Sequence, residues 1–195
     1  MQTNEAHLTI PATPVHRSGT ADAHEAVLNL GCGEDRMEGA VNLDISARVG
    51  ADVVHDLRRF PWPFADSTFS TVVGMDVIEH LPDMLATMEE ISRICRPGAI
   101  VRLATPHFSC ANAYTDPTHC HRLGYFTFDY FVGTATHNHY TDARFSYRRR
   151  ELVFFSSRKN VLIRRIANRW PAFYERHLCW MLPAWFLSVE LVVEK

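Results

Sequence analysis

The chain has 195 residues, 47% of them hydrophobic, which suffices for one well-buried core and makes one domain the default. Its formal net charge is −2, so nothing global argues for nucleic acid as a partner. Five cysteines (Cys32, Cys95, Cys110, Cys120 and Cys179) are odd in number and hold no C-x-x-C pair; with no signal-peptide pattern at the N-terminus they read as reduced thiols of a cytoplasmic protein.

In chain order, residues 1–22 are polar, carry Pro11, Pro14 and Gly19, and are expected to form a flexible arm ahead of a single domain over 23–195. A first strand near 26–31 stops at Gly31-Cys32-Gly33, where a helix is expected to begin, and a second strand near 40–44 closes on Asp44. Glycines at such a turn let a ligand approach the backbone, and a helix start offers unpaired N–H groups. A carboxylate closing the neighbouring strand suits the two hydroxyls of a ribose. The third glycine of a dinucleotide fingerprint is replaced by Arg36, so a nucleoside without a pyrophosphate fits better than a dinucleotide.

A third strand near 52–54 is expected to be a weak edge, because Pro61-Trp62-Pro63-Phe64 cannot lie inside a following helix. A fourth strand near 70–75 leads to a helix over 84–95, with Leu85, Met88, Ile91 and Ile94 on one face, and then to a fifth strand near 99–104. Residues 107–143 are irregular and aromatic, and read as an insertion capping the substrate pocket. Strand returns at 144–155, helix around 158–170 and a last strand at 186–193. The apolar run over 178–193 is short for a membrane span and is interrupted by Pro183 and Glu190. Strand–helix alternation predicts an α/β fold, a mostly parallel sheet with helices on both faces and ligands beyond the carboxyl ends of its strands.

Leu28 to Gly33, Asp44, Asp56 and the run Phe69 to Leu81 together resemble the motifs of class I S-adenosylmethionine (SAM) dependent methyltransferases of the small-molecule type, as does Arg96-Pro97-Gly98-Ala99-Ile100 before the fifth strand. The family often carries an acid where Asn29 stands and Asp where Ser70 stands. The resemblance implies a Rossmann-like seven-strand sheet whose last strand is antiparallel, with SAM as cofactor. It implies that Asn29, Gly31, Cys32, Gly33, Asp44, Ile45, Asp56, Leu57, Met75, Asp76 and His80 surround that cofactor, Asp44 on the ribose and Asp56 on the adenine amino group.

Methyl transfer from a sulfonium asks the protein mainly for alignment, and a hydroxyl acceptor also asks for a base. His107, just past the fifth strand, reads either as that base or as a loop anchor, with His119 as its companion. Tyr114, Asp116, His119 and Tyr125 are expected to contact the acceptor. The aromatics from Tyr125 to Phe131 serve as core, as lid, or as a wall stacking on a ring substrate. Asp116, His119 and His121, with His107, Cys110, His137 and His139 nearby, hold ligand chemistry without a zinc spacing, so a hydrogen-bonded loop without metal is expected. The basic residues from Arg144 to Arg169, including Arg158 and Lys159, form either a solvated face or a patch for an anionic substrate or membrane surface.

The expected activity is methyl transfer to oxygen or nitrogen of a small molecule such as a sugar or secondary metabolite. The alternatives are a methyltransferase for a protein or lipid-linked substrate, or a SAM-binding protein without transferase activity. The expected partner is the acceptor alone, without nucleic acid or membrane span and with a homodimer left open.

Overall fold

The computed structural model describes residues 26–133, 138–155 and 160–195. The arm over 1–22, His137, Arg158 and Lys159 lie outside the described residues. Seven strands form one sheet: β1 (Val27–Leu30), β2 (Val41–Asp44), β3 (Val53–Val54), β4 (Phe69–Met75), β5 (Cys95–Pro106), β6 (Arg144–Val153) and β7 (Phe186–Glu194), in the spatial order β3-β2-β1-β4-β5-β7-β6. Neighbours from β3 to β5 pair in parallel, whereas β7 runs antiparallel between β5 and β6. This is the Rossmann-like order that places β1 and β4 at the centre.

Hydrophobic pattern explains the central strands. Leu28 and Leu30 of β1, Val72 of β4, and Val101 and Leu103 of β5 are buried, and the run of apolar residues in each is what a sheet covered on both faces requires. In β7 the burial alternates: Leu187, Val189, Leu191 and Val193 point inward, while Ser188 and Glu190 lie on the half-exposed face. There Glu190 stands opposite Arg102, 3.6 Å away, and 3.8 Å from Arg148. Two-residue β3 is the sheet edge, as the proline-rich connection after it predicts.

That connection is tied down instead of coiled. Trp62 is 2% exposed; its indole N–H donates to the Leu57 carbonyl at 3.0 Å, and its backbone N–H donates to Glu90. Glu90 belongs to α1 (Met84–Ile94), which Asp83 caps by accepting from the Ala86 N–H at 2.9 Å. The buried face of α1 contains Met88, Ile91 and Ile94 as expected, but Leu85 is 37% exposed. Met84 packs on the core in its place, because one residue of rotation carries position 85 off the stripe that positions 84, 88 and 91 share.

The helix expected after Gly33 does not form. Only residues 31–40 join β1 to β2, fewer than a crossover helix needs, and three of them (Gly31, Gly33 and Gly39) have positive φ. Residues 96–99 loop out of β5, whose register with β4 jumps between Phe69 and Thr71. After β5 the chain runs through α2 (Asn112–Thr115) and short 3-10 turns, with Phe128 and Phe131 in the core and Phe126 and Tyr130 exposed. The helix expected around 158–170 is seen as α3 (Asn160–Arg169), followed by α4 (Pro171–His177), which Pro171 starts. Among the described residues no helix is long and apolar enough to cross a membrane.

Candidate active site

The carboxyl ends of β1, β2 and β4 surround an open cavity of about 600 Å³, lined among others by Gly31, Asp44, Ile45, Asp56, Leu57, Asp76 and His80. Gly31 has φ +59°, and a Cβ on it would stand 2.5 Å from Val77 Cγ2, so only glycine leaves the turn and the cavity wall intact. The Gly33 N–H donates to Asp44 Oδ2 at 3.0 Å, and the Ser46 N–H donates to Asp44 Oδ1 at 2.8 Å. Two backbone donors thus hold the carboxylate in place while each oxygen keeps a lone-pair position for a ligand.

Asn29 and Cys32, expected beside the cofactor, are not among the residues lining the cavity. Asn29, 5% exposed, donates from Nδ2 to the Asp35 carbonyl at 3.0 Å and to Asn42 Oδ1 at 3.1 Å, so it pins the glycine loop from below. Cys32 is 4% exposed and burial pushes its thiol up, the behaviour of a packed thiol. Met75 ends β4 and is not among the lining residues either.

On the far side of Asp44, Arg58 grips Asp56: its Nε donates to Oδ1 at 2.9 Å and its Nη2 to Oδ2 at 3.0 Å. That hydrogen-bonded guanidinium holds the Asp56 carboxyl down at about 2. Exposed Ile45 and buried Leu57 supply apolar surface on either side of the same opening.

The opposite end is polar. Asp76 leaves β4 with φ +50°, and crowding by neighbours raises its carboxyl although its own surface faces the open cavity. Next come His80, Pro82, Pro117, Thr118 and Cys120. His80 is shifted down by burial. Glu79, behind them, is 1% exposed and burial pushes its carboxyl up to about 7. The Cys120 and His121 N–H groups donate to the Glu79 carbonyl at 2.7 and 3.2 Å, fastening this loop to the end of β4.

His107 does not stand at the cavity mouth. Its side chain is fully buried: Nε2 meets the Glu175 carboxylate of α4 at 3.1 Å, and Nδ1 accepts from the Ser109 N–H at 3.3 Å, with the Ser109 hydroxyl at 2.8 Å. A carboxylate only accepts, so the ring proton sits on Nε2 and both nitrogens are engaged. Of the two readings of His107, the loop anchor is the one this geometry fits, because no lone pair is left to take a proton.

His119 is brought instead against Glu79 and His80, its Nε2 4.0 Å from Glu79 Oε1 and its ring 4.6 Å from that of His80. Asp116 is a turn cap, accepting from the Thr118 N–H at 2.8 Å and hydroxyl at 2.6 Å. Tyr114 and Tyr125, expected on the acceptor, are not on the cavity wall: Arg122 lies over Tyr114 and Arg150 over Tyr125, so cation–π contacts hold both rings elsewhere. His121 Nε2 is bonded to the Leu81 carbonyl at 2.9 Å. The sequence reading missed His55, Arg58, Val77, Leu81, Pro82, Pro117, Thr118 and Cys120; Arg58 alone carried a signal, as a cation two residues beyond the expected adenine acid.

The arginine-rich stretch is largely satisfied within the chain. A surface groove is lined by Arg149, Arg150, Arg164 and Arg165 with Glu151. Arg149 and Arg164 pair with Glu151, and Arg150 with Asp129, which fits a solvated face.

Residues 8–184 match the methyltransferase domain family, and the chain belongs to it. A protein of Mycolicibacterium smegmatis named a probable S-adenosylmethionine-dependent methyltransferase is 32% identical over 98 residues, covering 42% of this chain and 38% of that protein. The chain thus spans well under half the length of that curated relative. Among solved structures, a SAM-dependent methyltransferase of Mesorhizobium loti has a TM-score of 0.55 at 14% identity, covering 86% of this chain and 90% of that one. One from Archaeoglobus fulgidus has a TM-score of 0.54 at 18% identity, covering 86% of each chain. Fold and family define a class I SAM-dependent methyltransferase domain. SAM is its cofactor, and the residues present suit it: a glycine turn that a Cβ would fill, a carboxylate held at the end of β2, and apolar walls beside Asp56.

Proposed function

We propose that this chain transfers a methyl group from SAM to an oxygen or nitrogen of a small molecule, a sugar or secondary metabolite. The observation that carries the reading is a continuous cavity of about 600 Å³ lined by Asp44 and Asp56 and by Asp76, His80, Thr118 and Cys120. Sites of this size, roughly 300–1,000 Å³, hold small ligands. In this reading Asp44 holds the ribose hydroxyls, the Gly31–Gly33 turn gives the backbone room to approach, and Asp56 accepts from the adenine amine beside Ile45 and Leu57.

When bound, SAM supplies a methyl group already activated for transfer. The rest is alignment by the protein. His80 and Thr118, both bearing polar atoms on the cavity wall, orient the acceptor, and Pro82 and Pro117 stiffen the backbone around them. Pro117, Thr118 and Cys120, within the expected cap over 107–143, close one end of this pocket, and the catalytic contribution falls to the group around His119 instead of His107. Conversion of SAM to S-adenosylhomocysteine with a panel of hydroxyl- and amine-bearing small molecules tests the proposal. Turnover only with a protein or lipid-linked acceptor would overturn it.

A further inference from the structure

At the polar end of the cavity the side chains of Glu79, His80 and His119 meet. Glu79 is 1% exposed, and neither of its carboxylate oxygens has a hydrogen-bond partner. Asp76 and Thr105 stand near enough to act on its charge without meeting hydrogen-bond geometry.

The two histidines are held in one tautomer by their outer neighbours. The Thr118 hydroxyl donates to Asp116 Oδ1 at 2.6 Å, so its oxygen can only accept from His80 Nδ1, 2.9 Å away. The proton of His80 is therefore on Nδ1, and Nε2 is bare. His119 Nδ1 faces the Ala113 carbonyl at 3.4 Å; a carbonyl only accepts, so this ring too keeps its proton on Nδ1 and presents a bare Nε2, 4.0 Å from Glu79 Oε1. One ligand atom from each of Glu79, His80 and His119 lies within 4.8 Å of the others. A carboxylate and two imidazoles this close repel while unprotonated, and burial makes that costly unless a cation, a proton or a metal ion, joins them.

We propose that Glu79, His80 and His119 form a binding site for a divalent first-row transition ion, open toward the cavity, where the ion holds the acceptor's oxygen. Two imidazoles and one carboxylate are a donor set such ions take, and three protein ligands leave positions free for a substrate. Metal–ligand bonds of about 2.0–2.2 Å ask the donors to close to roughly 3–3.5 Å apart, a side-chain movement below an ångström each from the 4.0 Å seen between Glu79 and His119. The second layer is already built: Asp116 through Thr118 orients His80, and the Ala113 carbonyl orients His119. The entry path is the cavity itself, whose wall includes His80, Thr118 and Cys120.

The role rests on the transferase reading above with a hydroxyl acceptor. The ion lowers that hydroxyl's hold on its proton, which passes to water at the cavity mouth. The oxygen–methyl bond forms as the sulfur–methyl bond breaks, and S-adenosylhomocysteine leaves without the sulfonium charge. Such an ion would let methyl transfer to oxygen proceed without His107 as base, whose Nδ1 lone pair is already engaged by the Ser109 N–H.

The test titrates the full chain, stripped with EDTA, with cobalt chloride, reading stoichiometry by elemental analysis and coordination by visible absorption. About one cobalt per chain is expected in the parent and in His121→Ala, whose imidazole is bonded elsewhere on the same loop. His119→Ala and Glu79→Gln lose it at the same cobalt concentration, and Thr118→Val weakens it about 10- to 100-fold. SAM affinity by isothermal titration of His119→Ala and Glu79→Gln stays within twofold of the parent, and far-UV circular dichroism of all the variants matches the parent, which shows that each is folded. No cobalt binding by the parent overturns the site, and a proton shared between His119 and Glu79 would give that result; full binding by His119→Ala overturns it as well. Cobalt bound with no effect of EDTA on turnover overturns the role in holding the acceptor. Failure of every hydroxyl acceptor overturns the transferase reading while leaving cobalt binding and SAM affinity untouched.

Discussion

Replacing Gly31 and Gly33 by alanine, separately, asks whether the turn after β1 is constrained by backbone conformation alone or also by the wall behind it. Both have positive φ, +59° and +48°, where an L-residue costs roughly 1–2 kcal/mol. They differ in surroundings. A Cβ at 33 meets nothing within 4 Å, whereas one at 31 stands 2.5 Å from Val77 Cγ2 and 3.0 Å from Val77 Cβ. Val77 is 8% exposed and β-branched, so it cannot swing aside without moving the loop after β4. Overpacking of this kind costs a further 1–3 kcal/mol or so. Gly31→Ala should therefore lose about 2–5 kcal/mol and Gly33→Ala about 1–2, with 2–4 °C of melting temperature per kcal/mol at this chain length. Urea unfolding followed by far-UV circular dichroism measures both. Because residue 31 also lines the cavity, its variant alone should bind SAM at least tenfold more weakly at a temperature where it remains folded. Equal destabilisation of the two variants would refute the steric argument, and unchanged SAM affinity in Gly31→Ala would refute the placement of the cofactor.

Asp44→Ala removes the acceptor of the Gly33 and Ser46 N–H groups together with the proposed ribose contacts; SAM affinity measured by calorimetry should fall about thirtyfold or more, from roughly 2–4 kcal/mol of charge-assisted hydrogen bonding. His107→Ala should act on stability rather than chemistry: it leaves the Glu175 carboxylate without its imidazole partner and empties a fully buried position, costing about 2–4 kcal/mol, while kcat below the melting transition stays within a few-fold; a thousandfold loss of turnover in a stably folded variant would restore His107 as a base. Asp56 titrates at about 2 because Arg58 hydrogen-bonds it, so its folded-state value lies below its unfolded one; the stability it contributes is present above about pH 4 and lost as pH falls through about 2. In Arg58→Ala a carbon NMR titration should move that midpoint back up toward the ordinary range near 4, and an unmoved midpoint would show that Arg58 is not the cause.

Much of this molecule is written in short stretches. All seven strands, the helix over residues 84–94, the glycine turn and the placement of Asp44 and Asp56 at strand ends follow from periodicity, turn residues and the strand–helix alternation, which act over a few neighbouring residues. Where the same local logic reached beyond its range it failed: a glycine turn resembling a helix start became a turn-rich link, because the ten residues of the link and three positive φ values left no room for a helix.

The histidines show the limit most sharply. His107 follows β5 closely, and local reasoning allowed it a place at the pocket, but only the fold brings Glu175 of α4 against its ring, so that with Ser109 both nitrogens are engaged. His119 and Glu79 are far apart in sequence, and hydrogen bonds from Cys120 and His121 to the Glu79 carbonyl draw them together. Strand positions and the placing of Asp44 at the end of β2 were determined by the sequence itself, since adjacent residues decide them. Which imidazole keeps a lone pair, and what it faces, was decided by tertiary structure, because hydrogen-bond partners that assign a ring proton come from segments no local pattern connects.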